Sequence, residues 1–132
     1  MTFAELLNAF AASPDNSLTI PTSWAQGRAG YGGLVAALVF AGMRARVASG
    51  RPVRSLAITF VGPVTPGESM SVEAEVLREG KAVSQVLGRA MQNGQTMCII
   101  QGSFGAGRES VVDVAAEPAP TVPAPELCER MP

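Results

Sequence analysis

A glycine-rich segment directly precedes the most apolar stretch of this sequence. Gly30, Tyr31, Gly32 and Gly33 lead into residues 33–43, which carry no charged or hydrogen-bonding side chain. This composition predicts a helix enclosed by other elements. The glycines leave the first backbone N–H groups of the helix accessible, and these donors, together with the helix dipole, favour a carbonyl oxygen or an anion. The alternative is that the glycines only permit a tight turn and close packing.

The absence of histidine limits the chemistry that this chain can perform. Ser-His-Asp and Cys-His nucleophilic systems, His-dependent dehydratases and His-ligated metals cannot be built from it alone. The two cysteines, Cys98 and Cys128, have neither metal-ligand spacing nor the pattern of a disulfide framework. We therefore expect no metal site, and reduced thiols in a cytoplasmic protein.

Charge gives little indication of a macromolecular partner. Ten basic and eleven acidic residues leave a net charge of −1, which predicts neither nucleic acid nor an anionic membrane as a partner. No acidic residue lies between Asp15 and Glu68, whereas that interval contains five arginines: Arg28, Arg44, Arg46, Arg51 and Arg54. Either Arg44 and Arg46 complement a helix C-terminus while the others are solvated, or the group binds phosphate. No targeting segment is visible, and the apolar run is shorter than the roughly 20 residues of a membrane span.

The elements that position the glycine segment follow from periodicity. Thr2 and Glu5 form a capping-box pattern that predicts a helix over residues 2–12, and residues 17–20 alternate like a short strand. Residues 22–33 are expected to be a loop, and residues 33–49 a long apolar helix that ends near Gly50, a plausible position for the glycine after a helix. At 47% hydrophobic content, the chain is expected to form one domain with a substantial core.

The second half of the sequence predicts strands. These are expected over residues 53–61, 70–76, 82–91 and 96–104, with a tight turn at Asn93-Gly94 and with Glu73 and Glu75 facing water. We predict a four-strand antiparallel meander that curls around the helix. Apolar residues occupy both faces of the last two strands, so a second unit is expected on one face or on an exposed edge. Residues 1–106 would form the domain, and the Pro-rich residues 107–132 a tail or interdomain linker.

Four motifs in this order resemble the N-terminal half of the acyl-CoA thioesterase II family, whose members carry two hot-dog domains in tandem. The matching segments are 31–37, 53–56 with Pro66-Gly67, 75–81, and 92–94 with 102–104. The resemblance covers residues 24–106. It implies an α+β hot-dog fold, in which a curled antiparallel sheet wraps around one long apolar helix. It also implies acyl-CoA thioester hydrolysis in fatty acid metabolism, without a metal or an organic cofactor.

The resemblance further implies that the catalytic residues are shared with another domain. The family's Asp, Thr and Gln belong mainly to its C-terminal half, and residues 33–49 contain no Asp or Glu to act as a general base. We therefore expect the base to come from a second hot-dog domain, and the expected partners are acyl-CoA and either that domain or further copies of this chain. The alternative function is a non-catalytic hot-dog module for acyl-CoA binding or dimerisation.

The substrate-binding candidates surround the start of the long helix. Gly32 and Gly33 would polarise the thioester carbonyl, and Trp24, Gln26 and Tyr31 would line an acyl or pantetheine channel. The alternative for these three side chains is that they cover the mouth of the sheet or fill a subunit interface. Thr59, Gln92 and Gln101 are possible polar ligands on strands, but we interpret them as ordinary strand or turn residues.

Overall fold

The computed structural model describes residues 1–130, and the chain begins with a capped helix. Helix α1 (Phe3–Ala12) has Thr2 as its N-cap: the Thr2 hydroxyl accepts from the Glu5 N–H at 3.3 Å, and the Thr2 N–H donates to the Glu5 carboxylate at 2.7 Å. This reciprocal pair confirms the predicted capping box. Leu6 and Phe10 face the core.

The predicted loop before the long helix contains a small hairpin. After strand β1 (Ser17–Thr19), a short 3-10 helix (Thr22–Trp24) leads into strands β2 (Ala25–Gln26) and β3 (Ala29–Gly30), which pair antiparallel. Gly27, with φ of 67°, lies in the turn between them. The prediction of a plain loop over residues 22–33 was therefore wrong in this detail, because strands of two residues leave no periodic pattern.

Helix α2 spans Gly32–Arg44 and is shorter than predicted. The chain turns after Arg44, whose guanidinium donates to the carbonyl oxygens of Arg51 at 2.8 Å and Ala48 at 3.3 Å. These contacts fold the following segment back against the helix end. Gly50 has a positive φ of 82° in this later turn, so its predicted place directly after the helix was wrong.

One side of α2 is buried and the other is only partly covered. The buried residues are Leu34, Val35, Leu38, Val39 and Met43. Phe40 is half-buried and stacks on Phe104, with ring centroids 6.0 Å apart, whereas Gly33 is exposed. The apolar composition of the helix predicted that other elements would enclose it. Within residues 1–130, the enclosure is incomplete.

Four long strands complete the sheet. They are β4 (Val53–Phe60), β5 (Ser69–Glu79), β6 (Val83–Gln92) and β7 (Gln95–Gly105). All pairings are antiparallel, and the strand order is β1-β5-β6-β7-β4. The predicted four-strand meander was therefore wrong: β5, β6 and β7 form a meander, but β4 crosses to the far edge and pairs with β7. Periodicity identifies strands without fixing which strands are neighbours.

Close packing of α2 on the sheet depends on two glycines in neighbouring strands. A Cβ on Gly88 would lie 2.6 Å from a Val39 methyl group and 2.7 Å from Met43, and a Cβ on Gly102 would lie 2.8 Å from Met43. The absence of side chains at these positions lets the helix approach the sheet backbone directly. The core therefore lies between α2 and the face of the sheet that contains Gly88 and Gly102.

The Asn93-Gly94 turn and the exposure of Glu73 and Glu75 agree with the predictions, and the segment after β7 has little regular structure. Asn93 and Gly94 have φ of 52° and 73° in the turn between β6 and β7, and Glu73 and Glu75 are exposed. Residues 106–124 contain no helix or strand and are mostly exposed; a 3-10 turn follows at Pro125–Leu127. Within residues 1–130, no helix is long and apolar enough to cross a membrane.

Candidate functional site

A cavity of about 290 Å³ lies at the N-terminus of α2. Its walls come from the β2–β3 hairpin, the first turn of α2, the end of β4 with the segment that follows it, and the start of β7. The lining residues are Gln26, Ala29, Gly30, Gly32, Val35, Phe60, Gly62, Pro63, Val64 and Met97. We call this cavity the α2 pocket.

Backbone hydrogen bonds hold the walls of the α2 pocket together. The Gly30 N–H donates to the Val64 carbonyl at 2.8 Å, which ties the hairpin to the segment after β4. The N–H groups of Val61 and Gly62 both donate to the Met97 carbonyl, at 2.8 and 3.1 Å, and so fix the opposite wall. These bonds place segments that are distant in sequence around one space.

The first N–H groups of α2 have no acceptor within residues 1–130. Leu34 and Val35 donate to the Tyr31 carbonyl at 3.0 and 3.2 Å, but Gly32 and Gly33 precede these bonds, and the Tyr31 side chain does not cap the helix. Gly32 lines the α2 pocket, whereas Gly33 does not. The Tyr31 ring folds over Gly33 instead, so that a Cβ there would lie 2.6 Å from the ring.

The aromatic candidates lie beside the α2 pocket and outside its lining. The Trp24 indole N–H donates to the Met1 carbonyl at 3.0 Å, and its ring lies 6.4 Å from that of Phe3, against the N-terminal segment. Tyr31 is 48% exposed. Gln26 does line the pocket and supplies its only polar side chain among the residues described.

Among the residues that the structure describes, the α2 pocket has no side chain that could act as a base or a nucleophile. Its lining includes no Asp, Glu, Ser, Thr, Cys or Tyr among the described residues. Cys98 lies close by in sequence but is fully buried in the core, and this burial raises the pKa of its thiol. No cluster of acidic, Cys or His side chains suited to a metal occurs in residues 1–130. The described lining therefore offers no side chain that could accept a proton from water.

The remaining polar candidates have structural surroundings. Thr59 and Gln101 are exposed on the outer face of the sheet. Gln92 is only 2% exposed, and its side chain binds the backbone of Thr65 and Glu68. It therefore holds the segment that follows the pocket wall at residues 62–64.

The arginines of the acid-free interval do not form one cluster. Arg44 donates to backbone carbonyls of the segment that follows α2, whereas Arg51 donates to carbonyls of the turn between β5 and β6, and Arg54 donates to the Gly105 carbonyl at the end of β7. Arg28 and Arg46 are exposed. The structure therefore favours the interpretation in which Arg44 complements the end of the helix over a shared phosphate site.

Phe60 is a site residue that sequence analysis missed. Its ring lies 3.2 Å from the position that a Cβ on Gly32 would occupy, so it forms one wall of the α2 pocket. The same side chain is 57% exposed at the end of β4. The Gly62-Pro63 break just after it marks the end of a strand, but no sequence signal indicates that this strand end meets the helix start.

Strand β4 is an open edge that continues from the α2 pocket. All eight of its residues are exposed, and it pairs only with β7 within the described chain. Leu56, Ile58 and Phe60 pair with residues of β7 that face α2, yet they are 38, 43 and 57% exposed. An exposed edge with an apolar face favours association with another sheet.

Comparison with known proteins identifies relatives of this fold. The family profile described as acyl-CoA thioesterase N-terminal domain matches residues 20–105. No curated protein matches the sequence significantly.

Solved structures show the same architecture at low sequence identity. A hot dog fold protein of unknown function from Alicyclobacillus acidocaldarius superposes with a TM-score of 0.67 and 24% identity, over 83% of this chain and 41% of that one. The acyl-CoA thioesterase II TesB2 from Mycobacterium marinum gives 0.62 and 24%, over 74% and 38%. BH2602 from Bacillus halodurans, solved with CoA, gives 0.58 and 24%, over 67% and 64%. These likenesses confirm the predicted hot-dog fold, and the chain spans about two fifths of the length of the first two structures.

Proposed function

Because the chain belongs to the family of acyl-CoA thioesterase N-terminal domains, we propose that it forms one half of an enzyme that hydrolyses acyl-CoA thioesters. The observation that carries the proposal is the α2 pocket, which combines apolar walls with Gly32 at the start of α2, whose N–H group has no acceptor among residues 1–130. Apolar pockets with few polar groups are typical of small-molecule sites. The acyl chain would occupy this pocket.

In this proposal the N–H group of Gly32, which lines the α2 pocket, donates to the carbonyl oxygen of the thioester. It would stabilise the negative charge that develops on that oxygen when water attacks the carbonyl carbon. The carbon–sulfur bond then breaks, and a carboxylic acid and the CoA thiol leave. Tyr31 and Trp24 would border the mouth of the pocket. No metal or organic cofactor takes part.

The general base that accepts the proton of the attacking water is proposed to lie on a second hot-dog unit. The support is the lack of a carboxylate among the described lining residues and the open edge beside Phe60. A unit that paired with β4 would cover Phe60 and thereby close the α2 pocket. Residues 107–132 would serve as the linker if that unit belongs to the same polypeptide. Otherwise a further copy of this chain would pair with β4. Cytoplasmic residence belongs to the same proposal.

Hydrolysis assays test whether the general base lies outside this chain. We expect little turnover of acyl-CoA by the 132-residue chain, and substantial turnover by a longer version that continues past Pro132. In the active form, Gly32→Val should lower kcat/KM by at least about tenfold, because it places a branched side chain between Phe60 and the free N–H groups. Gly107→Val is the matched control, since a Cβ there meets open space. Equal, substantial activity in the short form would refute the claim that the base is supplied from outside.

Association through β4 can be measured separately by sedimentation. Ile58→Lys places a charge on the face that the second unit would cover, whereas Thr59→Lys places the same charge on the outer face of the same strand. We expect the first variant to weaken association and the second to leave it nearly unchanged. Equal effects would argue against docking at this edge.

The second candidate function is a non-catalytic module that binds acyl-CoA or supports dimerisation. The lack of a base in the described pocket favours it for the isolated chain. Calorimetry with a non-hydrolysable acyl-CoA analogue separates the two: binding without turnover in the longer version supports the module, and turnover there supports the enzyme. Gln26→Leu should weaken binding more than Gln95→Leu, which alters an exposed residue of the β6–β7 turn.

A further inference from the structure

A second cavity, of about 650 Å³, lies at the turn between β5 and β6. It opens on the outer face of the sheet, where Val83 and Gln85 alternate with the buried Ser84 and Val86. It shares no lining residue with the α2 pocket. Val83 pairs with Gly105 at the far end of β7 from Met97, about 26 Å along the strand at 3.3 Å per residue. We call this cavity the hairpin pocket.

The hydrogen-bond acceptors of the turn are already occupied. Arg51 donates to the carbonyl oxygens of Gly80 at 2.9 Å and Lys81 at 3.2 Å, and it also pairs with the Glu79 carboxylate at 3.4 Å. The Val83 carbonyl accepts from the Gly80 N–H at 2.8 Å, and the Ala82 carbonyl from the Ala106 N–H at 2.9 Å. The four carbonyl oxygens of the turn and the Glu79 carboxylate are thus bound by donors of the protein itself.

The donors that line the hairpin pocket are free. Arg78, Lys81 and Arg108 have no acidic partner within residues 1–130, where the ion pairs are Arg51–Glu79 and Arg89–Glu73. The Gln85 amide oxygen accepts from the Ser103 hydroxyl at 2.8 Å, so its NH₂ group is the part without an acceptor among the described residues. Three like charges gathered around one concave surface repel one another and create a positive local field.

Because the pocket offers hydrogen-bond donors and its acceptors are occupied, it favours an anionic ligand. Guanidinium and ammonium groups form their strongest hydrogen bonds with anionic oxygens, and phosphate supplies several of these at once. The volume exceeds what a phosphate group needs and is typical of cavities that hold whole small molecules. Val83, which is partly exposed in the lining, offers an apolar surface for a nucleoside.

We infer that the hairpin pocket binds a nucleotide with at least two phosphate groups, held by Arg78, Lys81 and Arg108. Both a free nucleoside diphosphate and the nucleotide end of CoA carry this chemistry. The inference rests on the proposed function only if CoA is the source. The site lies on the opposite face and end of the sheet from the α2 pocket, so binding there does not require a thioester.

Calorimetry on the 132-residue chain tests the inference with ADP, CoA, inorganic pyrophosphate and adenosine as probes. The double variant Lys81→Gln with Arg108→Gln should bind ADP about tenfold more weakly, as expected for the loss of charge-assisted hydrogen bonds. Its matched control, Arg46→Gln with Arg89→Gln, removes the same charge outside the pocket and should change affinity less than about twofold. Circular dichroism confirms that both variants are folded.

Each outcome decides part of the inference. ADP binding that the pocket variant weakens and the control does not would support it. Binding of CoA that is tighter than that of ADP, and that the pocket variant also weakens, would identify the CoA nucleotide as the source. Equal losses in both variants, or no binding of ADP or CoA, would overturn it. If pyrophosphate binds as tightly as ADP, the pocket does not recognise the nucleoside. If adenosine binds as tightly as ADP, the pocket does not recognise the phosphate groups. None of these measurements involves hydrolysis, so the proposed thioesterase activity can fail while this site stands.

Discussion

Replacing Gln92 by Met should destabilise the fold by removing an internal clamp. The buried amide of Gln92 accepts from the Thr65 N–H at 2.8 Å and donates to the carbonyls of Thr65 at 3.0 Å and Glu68 at 3.4 Å. Each short bond contributes about 1 kcal/mol, and the long third bond contributes less. Because Met keeps the side-chain length, Gln92→Met should lower the free energy of unfolding by about 2 kcal/mol.

A charged replacement at the same position separates hydrogen bonding from packing. Gln92→Glu preserves the acceptor for Thr65 N–H but turns an anionic oxygen toward two carbonyl oxygens in a buried site. It should therefore be less stable than Gln92→Met at pH 7. The deficit should shrink as pH falls, because the folded state favours the protonated carboxyl, which can donate to those carbonyls.

Urea denaturation monitored by fluorescence of Trp24 measures these differences. With a slope of about 2 kcal/mol per molar urea, the midpoint of Gln92→Met should fall by about 1 M. Amide exchange of the Thr65 N–H should accelerate as well, since this group loses its acceptor. Gln101→Met, on the exposed outer face, is the control. A loss of less than about 0.5 kcal/mol for Gln92→Met would refute the clamp, because surface changes already produce effects of that size.

Three further outcomes are expected. Gly88→Ala should lower the free energy of unfolding by about 1–3 kcal/mol, because its Cβ would lie 2.6 and 2.7 Å from two side chains of α2. Gly107→Ala should be nearly neutral, and thermal denaturation of both variants measures the difference. Hydrogen bonds from two serine hydroxyls lower the pKa of Asp15 below its ordinary value of 3.8. The resulting stabilisation is present above pH 3.8 and is lost as pH falls through the lowered pKa. The free energy of unfolding of Asp15→Ala should therefore be lower than that of the wild type at pH 7 and converge with it in strong acid. Because burial raises the pKa of Cys98 and Cys128 is exposed, a thiol reagent should label one cysteine in the native protein and two after unfolding; rapid labelling of both in the native state would contradict the buried placement.

Elements with strong local signals were predicted correctly from the sequence. The capping box of Thr2 and Glu5 and the Asn93-Gly94 turn both depend on hydrogen bonds and dihedral angles within a few residues. The strands alternate because one face must contact α2, so their positions also follow from local pattern. The end of α2 did not, since it depends on Arg44 binding the carbonyls of Ala48 and Arg51.

Strand order and pocket walls could not be predicted in the same way. Residues 53–60 read as a strand, but nothing in their pattern states that they pair with β7 at the sheet edge and not with β5. That choice places Phe60 against Gly32 and leaves one side of the strand open. The contact of Trp24 with the N-terminal segment could not be predicted either, because Phe3 is distant from it in sequence.

The sequence alone determined which chemistry is absent and where the candidate donors lie. It contains no histidine, and the predicted helix at Gly32 and Gly33 carries no carboxylate; both are properties of composition and need no folding. Tertiary structure decided that only Gly32 of the two lines the α2 pocket and that Phe60 forms a wall of it. It also decided that Arg78, Lys81 and Arg108 line a second cavity, on the other face of the sheet. The physical reason is that donors and turns are set by neighbouring residues, whereas a pocket exists only where segments distant in sequence are brought together by strand pairing and helix packing.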